Sequence, residues 1–176
     1  VIAHMVMVGL MQMTSLHMHH LEHPLSNIAL VFSSHTFGMY AFSTFTGWMT
    51  DKWGRRPVLG IGAAILVASC LMAPLSPELF PVAVALFLLG IGWNFCYVAG
   101  SALLADSLTP AEKGRMQGFN DLLVGGAAAF ATLAGGVIMA QSGYMVMGLI
   151  GAALSAPLLW VVARLPKPDS TAAAAK

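Results

Sequence analysis

Side chains able to do chemistry are few in this sequence, and several fall together. Asp51, Lys52, Arg55 and Arg56 fall within six positions of the stretch from Gly47 to Leu59. A guanidinium beside a carboxylate makes a short, directional, charge-assisted pair. Such a corner can latch onto a second acid, and Asp106 and Glu112 flank another short polar interval further on. The competing reading is a solvated positive corner that only fixes topology.

A second group of candidates lies inside apolar runs. Asp121 is about eleven residues beyond Pro110, roughly 16 Å along a helix. It reads either as a proton-carrying or cavity-facing acid, or as an interfacial acid paired with Gln117 or a basic loop. His35 stands in Ser33-Ser34-His35-Thr36, four polar residues that cannot all face lipid. It can border a cavity and take a proton near neutral pH, or it can hydrogen-bond between helices. Trp93 and Asn94, with Tyr97 a turn on, suit an organic ligand or plain packing.

The run His17-Met18-His19-His20-Leu21-Glu22-His23 has donors for zinc or copper, with Met5, Met7, Met11 and Met13 nearby. Methionine on a helix is more often flexible apolar filling, and no metal site is assigned. Cys70 and Cys96 have no ligand spacing and read as small buried residues. There is no phosphate-binding glycine loop, no Gly-x-Ser-x-Gly and no Cys/His dyad. No enzyme activity and no cofactor are therefore expected.

The elements that must hold these groups follow from composition. Of 176 residues, 58% are hydrophobic and 9% charged, and the mean hydropathy is +0.80. Soluble domains carry roughly 25% charged residues. So few charges cannot coat a water-facing surface, and the class is integral membrane protein. The apolar runs are near-continuous and about twenty residues long, which is helix length for a bilayer and excludes the alternating pattern of a lipid-facing barrel. The net charge of +1 gives no case for nucleic acid.

Six apolar segments are expected, at about 1–18, 25–49, 57–75, 79–105, 110–140 and 143–165, followed by a polar tail over 166–176. Sorting the cations by connection tests that division. Lys52, Arg55 and Arg56 follow the second segment, Lys113 and Arg115 follow the fourth, and Arg164, Lys167 and Lys176 end the chain. All eight fall on one side, which the positive-inside rule makes cytoplasmic. Pro57 is expected to open the third segment, and Thr109-Pro110-Ala111-Glu112 reads as a capping box. Pro157 predicts a kink in the sixth. The chain starts at Val1 inside an apolar run without a positive leader, which reads as a truncated spanning helix and not a signal peptide.

The corner also carries a resemblance. Gly47, Asp51, Lys52, Gly54, Arg55 and Arg56, with Met49 at the apolar position and Leu59 trailing, fill the pattern G-x-(apolar)-x-D-(K/R)-x-G-(R/K)-(R/K). This resembles the signature loop of the major facilitator superfamily, where it is linked to control of inward- and outward-facing states. The resemblance implies an all-α six-helix bundle, one half of a twelve-helix transporter. It favours the C-terminal half, helices seven to twelve. The fourth segment has Gly92-Trp93-Asn94 where many first halves have Arg, and the fifth lacks the Gly-Pro pair of antiporters.

The expected function is transport of a small solute by a secondary active transporter, with proton-coupled efflux as one form. The expected partners are the solute, the lipid bilayer and an N-terminal six-helix half, in the plasma (inner) membrane with the C-terminus cytoplasmic. The alternatives are a non-transporting membrane scaffold or regulator, and a metal-dependent membrane enzyme using His17 to His23.

Overall fold

The computed structural model describes residues 1–164, so the expected tail, with Lys167 and Lys176, lies outside the described residues. Every regular element among the described residues is helical. The order is α1 (Ile2–His20), α2 (Leu25–Tyr40), α3 (Ser43–Trp53), α4 (Arg55–Met72) with a short 3-10 turn over Ala73–Leu75, α5 (Leu79–Asp106) and α6 (Pro110–Arg164). Three stretches are long and apolar enough to cross a membrane: Arg55–Leu75, Leu79–Asp106 and Pro110–Arg164. Helices α2 and α3 reach that length only together.

α6 is not one rod. Gly143 has φ 77° and ψ 179°, a conformation that an L side chain rarely adopts. The chain doubles back there. The space over Gly9 is shared by Ala131 and Met147, and Met147 also reaches Gly135. In a straight helix residues 131 and 147 would be roughly 24 Å apart. The two arms, 110–142 and 144–164, therefore lie side by side against α1.

α5 is the central element, packed on α1, α2, α3 and α4, and is the most enclosed of the three long stretches. The core joins Val6, Leu10 and Met13 of α1, Leu66 and Cys70 of α4, Leu86 and Leu89 of α5, and Met147 of α6. Outside it, Phe130, Leu133 and Leu122 are exposed to the surroundings. An apolar interior under an apolar exterior is the arrangement of an all-α membrane protein, whose solvent is hydrocarbon.

Two expectations are corrected. The segment expected as one helix over 25–49 is two helices, broken at Ala41 and Phe42. The physical cause is a side chain from α5, described below. The polar corner expected between 49 and 57 contracts to one residue. α3 runs on to Trp53, α4 begins at Arg55, and Gly54 makes the turn with φ 93° and ψ 162°. Pro57 lies in the first turn of α4, where its missing N–H leaves no helical acceptor unused.

Candidate functional site

The polar centre of the bundle is built on Asn94, 2% exposed in the middle of α5. Its Nδ2 donates to the Met39 carbonyl at 2.7 Å and to Ser43 Oγ at 2.8 Å. Its Oδ1 accepts from Thr46 Oγ1 at 2.6 Å. The Met39 carbonyl can only accept, which fixes the orientation of the amide. In an unbroken helix that carbonyl would receive the Ser43 N–H. Asn94 thus inserts into the ladder and supplies the missing donor, a recognised cause of kinks. Ser43 and Thr46 were not expected at this site. Their polar spacing of three inside an apolar segment was the available signal.

Trp93, one residue earlier, points to the other side of α5. Its Nε1–H donates to His4 Nδ1 at 3.0 Å. Tyr97 stacks on the indole with centroids 4.9 Å apart, and Tyr40 meets it edge-on at 6.1 Å. Tyr40 closes α2 immediately before the break. The structure therefore brings Trp93 and Asn94 to one region and adds His4 and Tyr40.

His35 is not part of that cluster. It is fully buried where α2 crosses α5, and its Nδ1–H donates to the Leu86 carbonyl at 2.8 Å. Its Nε2 has no protein partner. The crossing is close because Gly38 and Gly90 face the partner backbone. A Cβ on Gly38 would meet the Phe87 carbonyl, and one on Gly90 would meet the His35 carbonyl.

At the charged corner, Arg55 joins three helix ends. Its Nε donates to Asp106 Oδ2 at 2.9 Å, and its Nη1 donates to Asp51 Oδ1 at 3.4 Å and to the Thr50 carbonyl at 3.2 Å. Asp51 and Asp106 both occupy the C-terminal ends of helices, where the dipole disfavours an anion. The guanidinium offsets that cost. The side chains are partly exposed, at 31% for Arg55, 78% for Asp51 and 57% for Asp106. Pairs of this kind contribute only about 0–1 kcal/mol to stability.

The other corner residues go elsewhere. Arg56 Nη2 donates to the Ala163 carbonyl at 2.8 Å and so caps the second arm of α6. Lys52 Nζ lies over the Trp48 ring at 4.8 Å. Gly47 is inside α3 with open space where a Cβ would be. Glu112 does not join the Arg55 cluster. It accepts from the Thr109 hydroxyl at 2.6 Å and the Thr109 N–H at 3.1 Å. The Thr109 hydroxyl is spent on Glu112, so only one half of the capping box forms.

Asp121 is exposed on α6 and accepts from Gln117 Nε2 at 3.0 Å. In the histidine run, His17 stacks on Tyr144 at 4.3 Å and His23 Nε2–H donates to the Pro77 carbonyl at 2.9 Å. Among the described residues no three His, Cys, Asp or Glu side chains are placed to hold one metal ion.

The sequence model of the major facilitator superfamily matches residues 1–176. The chain belongs to that superfamily of transporters. It is 37% identical over 164 residues to the uncharacterized MFS-type transporter YddS of Bacillus subtilis, covering 92% of this chain and 38% of that protein. It is 32% identical over 154 residues to the riboflavin transporter RfnT of Brucella anthropi, covering 87% and 38%. It is 27% identical over 155 residues to the multidrug resistance protein MdtL of Escherichia coli, covering 86% and 39%. The chain spans about two-fifths of the length of these relatives.

Proposed function

We propose that this superfamily chain acts as the C-terminal half of a secondary active transporter for a small solute, in the plasma membrane. Six crossings are formed by α1, α2 with α3, α4, α5 and the two arms of α6. The bundle rocks against an N-terminal six-helix half, exposing a site near the midplane to each side in turn. The Gly54 corner and the C-terminal end face the cytoplasm, because every Lys and Arg then lies inside. Chemistry on the solute is not part of this reading.

The observation that carries it is the Arg55 junction. One guanidinium ties the end of α3, the start of α4 and the end of α5. It contributes little to stability, yet it is built from acids at unfavourable helix ends. Its use is to hold one of two arrangements and to release it when the helix ends part. The candidate solute and proton groups are Trp93, Asn94, His35 and Asp121. Of these, His35 has a free buried Nε2, and Asp121 faces out from α6, where the other half would close a cavity.

The relatives suggest riboflavin as the first solute to test, with a drug as the second. The experiment is flux of labelled riboflavin in proteoliposomes of the natural full-length protein. Saturable flux that stops when a proton gradient is collapsed supports coupled transport. Flux that persists after collapse removes proton coupling. Absence of saturable flux for both solutes counts against these cargoes.

A further inference from the structure

A cavity of about 230 Å3 opens between α1, α5 and the first arm of α6, on the side of α5 opposite the Asn94 plug. His4, Trp93, Tyr97, Ser101 and Asn120 are among its lining residues. Trp93 is nearly buried, at 6% exposure, with Tyr97 stacked on it at an interplanar angle of 19°. Tyr97 is 46% exposed. The indole is thus the fixed base, and the phenol is the aromatic face left open.

The tautomer of His4 follows from chemistry. An indole N–H can only donate, and it donates to His4 Nδ1. Nδ1 therefore carries the lone pair, and the neutral ring holds its proton on Nε2. The cavity offers one flat aromatic face, one imidazole N–H, a hydroxyl from Ser101 and an amide from Asn120. His4 is the one acidic or basic side chain among those lining it. An ion entering this site would lose its hydration without a counter-charge, which is costly.

We propose that this cavity binds a planar, uncharged heteroaromatic solute bearing a ring carbonyl or ring nitrogen. The ring stacks on Tyr97, and its acceptor takes the His4 Nε2–H. A two- or three-ring molecule matches the volume. The inference rests on the transport reading only in treating the bound molecule as cargo; binding itself is independent of flux.

The probe is acridone, a neutral tricyclic ketone, against N-methylacridinium, a cation of the same shape. Binding is measured by equilibrium dialysis on the natural full-length protein in lipid nanodiscs, with protein-free nanodiscs subtracted. Acridone binds, and the cation binds at least roughly tenfold more weakly. Tyr97→Leu loses roughly tenfold or more of acridone affinity, as expected for one stacking partner, while Tyr97→Phe stays within about threefold. His4→Leu loses roughly threefold to tenfold, the range of one hydrogen bond. Trp160→Leu, on the second arm of α6, is the control and leaves binding unchanged.

A second readout does not depend on the leucine variant folding. In a parent with Cys70 and Cys96 replaced by Ala, acridone slows maleimide labelling of Gly100→Cys, a lining position that keeps Tyr97 and has open space for a side chain, by at least about threefold, an occupancy effect of a bound ring over the thiol. No acridone binding above empty nanodiscs, equal binding of the cation, or unprotected labelling at position 100 overturns the proposal. Solute flux with no acridone binding removes this inference and leaves transport standing. Acridone binding without flux of any tested solute does the reverse.

Discussion

The Asn94 amide donates to the Met39 carbonyl across 2.7 Å, from the middle of one helix into the gap between two others. It does the work that the Ser43 N–H would do in a continuous helix. The break between α2 and α3 is thus written partly on α5. Tyr40 sits on one side of that break, and α3 runs from the other side to the Arg55 junction. The Trp93 aromatic cluster and the Arg55 junction therefore lie on the two sides of a break that one buried amide occupies.

Asn94→Leu leaves the Met39 carbonyl and the half-buried Ser43 hydroxyl without this partner, while Thr46 keeps its bond to the Phe42 carbonyl. Each unmet buried group costs about 1–3 kcal/mol. Thermal unfolding of the purified protein in detergent shows a clear fall in Tm. A variant as stable as wild type would mean that the amide is dispensable.

Asp106→Asn removes the stronger Arg55 contact but alters stability by no more than about 1 kcal/mol, since the pair is partly exposed. Its effect appears in conformation. Spin labels across the cytoplasmic face report a shift in the balance of open and closed states. The double exchange Arg55→Asp with Asp106→Arg restores part of it. An unchanged distance distribution in Asp106→Asn speaks for a corner that only sets topology.

The two glycines of the signature respond in opposite directions. Gly54→Ala forces a Cβ into a left-handed backbone and costs about 1–3 kcal/mol. Gly47→Ala adds a methyl to open space inside α3 and gains about 0.5–1 kcal/mol of helix stability. Paired unfolding curves in the same detergent check the sign of each. Equal effects would contradict the geometry assigned to Gly54.

Gly90→Ala separates α2 from α5, because the obstacle is the His35 carbonyl and neighbouring backbone, not a mobile side chain. Overpacking of this kind costs about 1–3 kcal/mol. Gly100→Ala, on the same helix but facing open space, serves as its comparison and raises the Tm slightly, Ala gaining about 0.5–1 kcal/mol over Gly inside a helix. A tolerant Gly90→Ala would show that the crossing is looser than these contacts imply.

The helical, membrane-embedded character was legible because composition and run length leave no other solvent for such a chain. The charged corner was legible because its residues are local. The break at Ala41 and Phe42 was not, since neither residue is a helix breaker and the cause is a donor more than fifty positions away. The same holds for Arg56, whose acceptor at Ala163 belongs to the far end of α6. Glu112 was grouped with the Arg55 corner because it follows Asp106 in the neighbouring polar interval, but its own helix start claims the carboxylate. His4 was not legible as a partner of Trp93, because the two are 89 positions apart in the sequence.

Sidedness is tested most directly by impermeant maleimide on three single-cysteine variants, Lys52→Cys, Lys113→Cys and His20→Cys, of the full-length protein in sealed right-side-out vesicles. Native Cys70 and Cys96 are buried, and each is replaced by Ala in the parent. Positions 52 and 113 should stay unlabelled until the vesicles are opened, while position 20 labels at once. Labelling of 52 and 113 from opposite faces would contradict the six-crossing account and the cytoplasmic placement of the Arg55 junction.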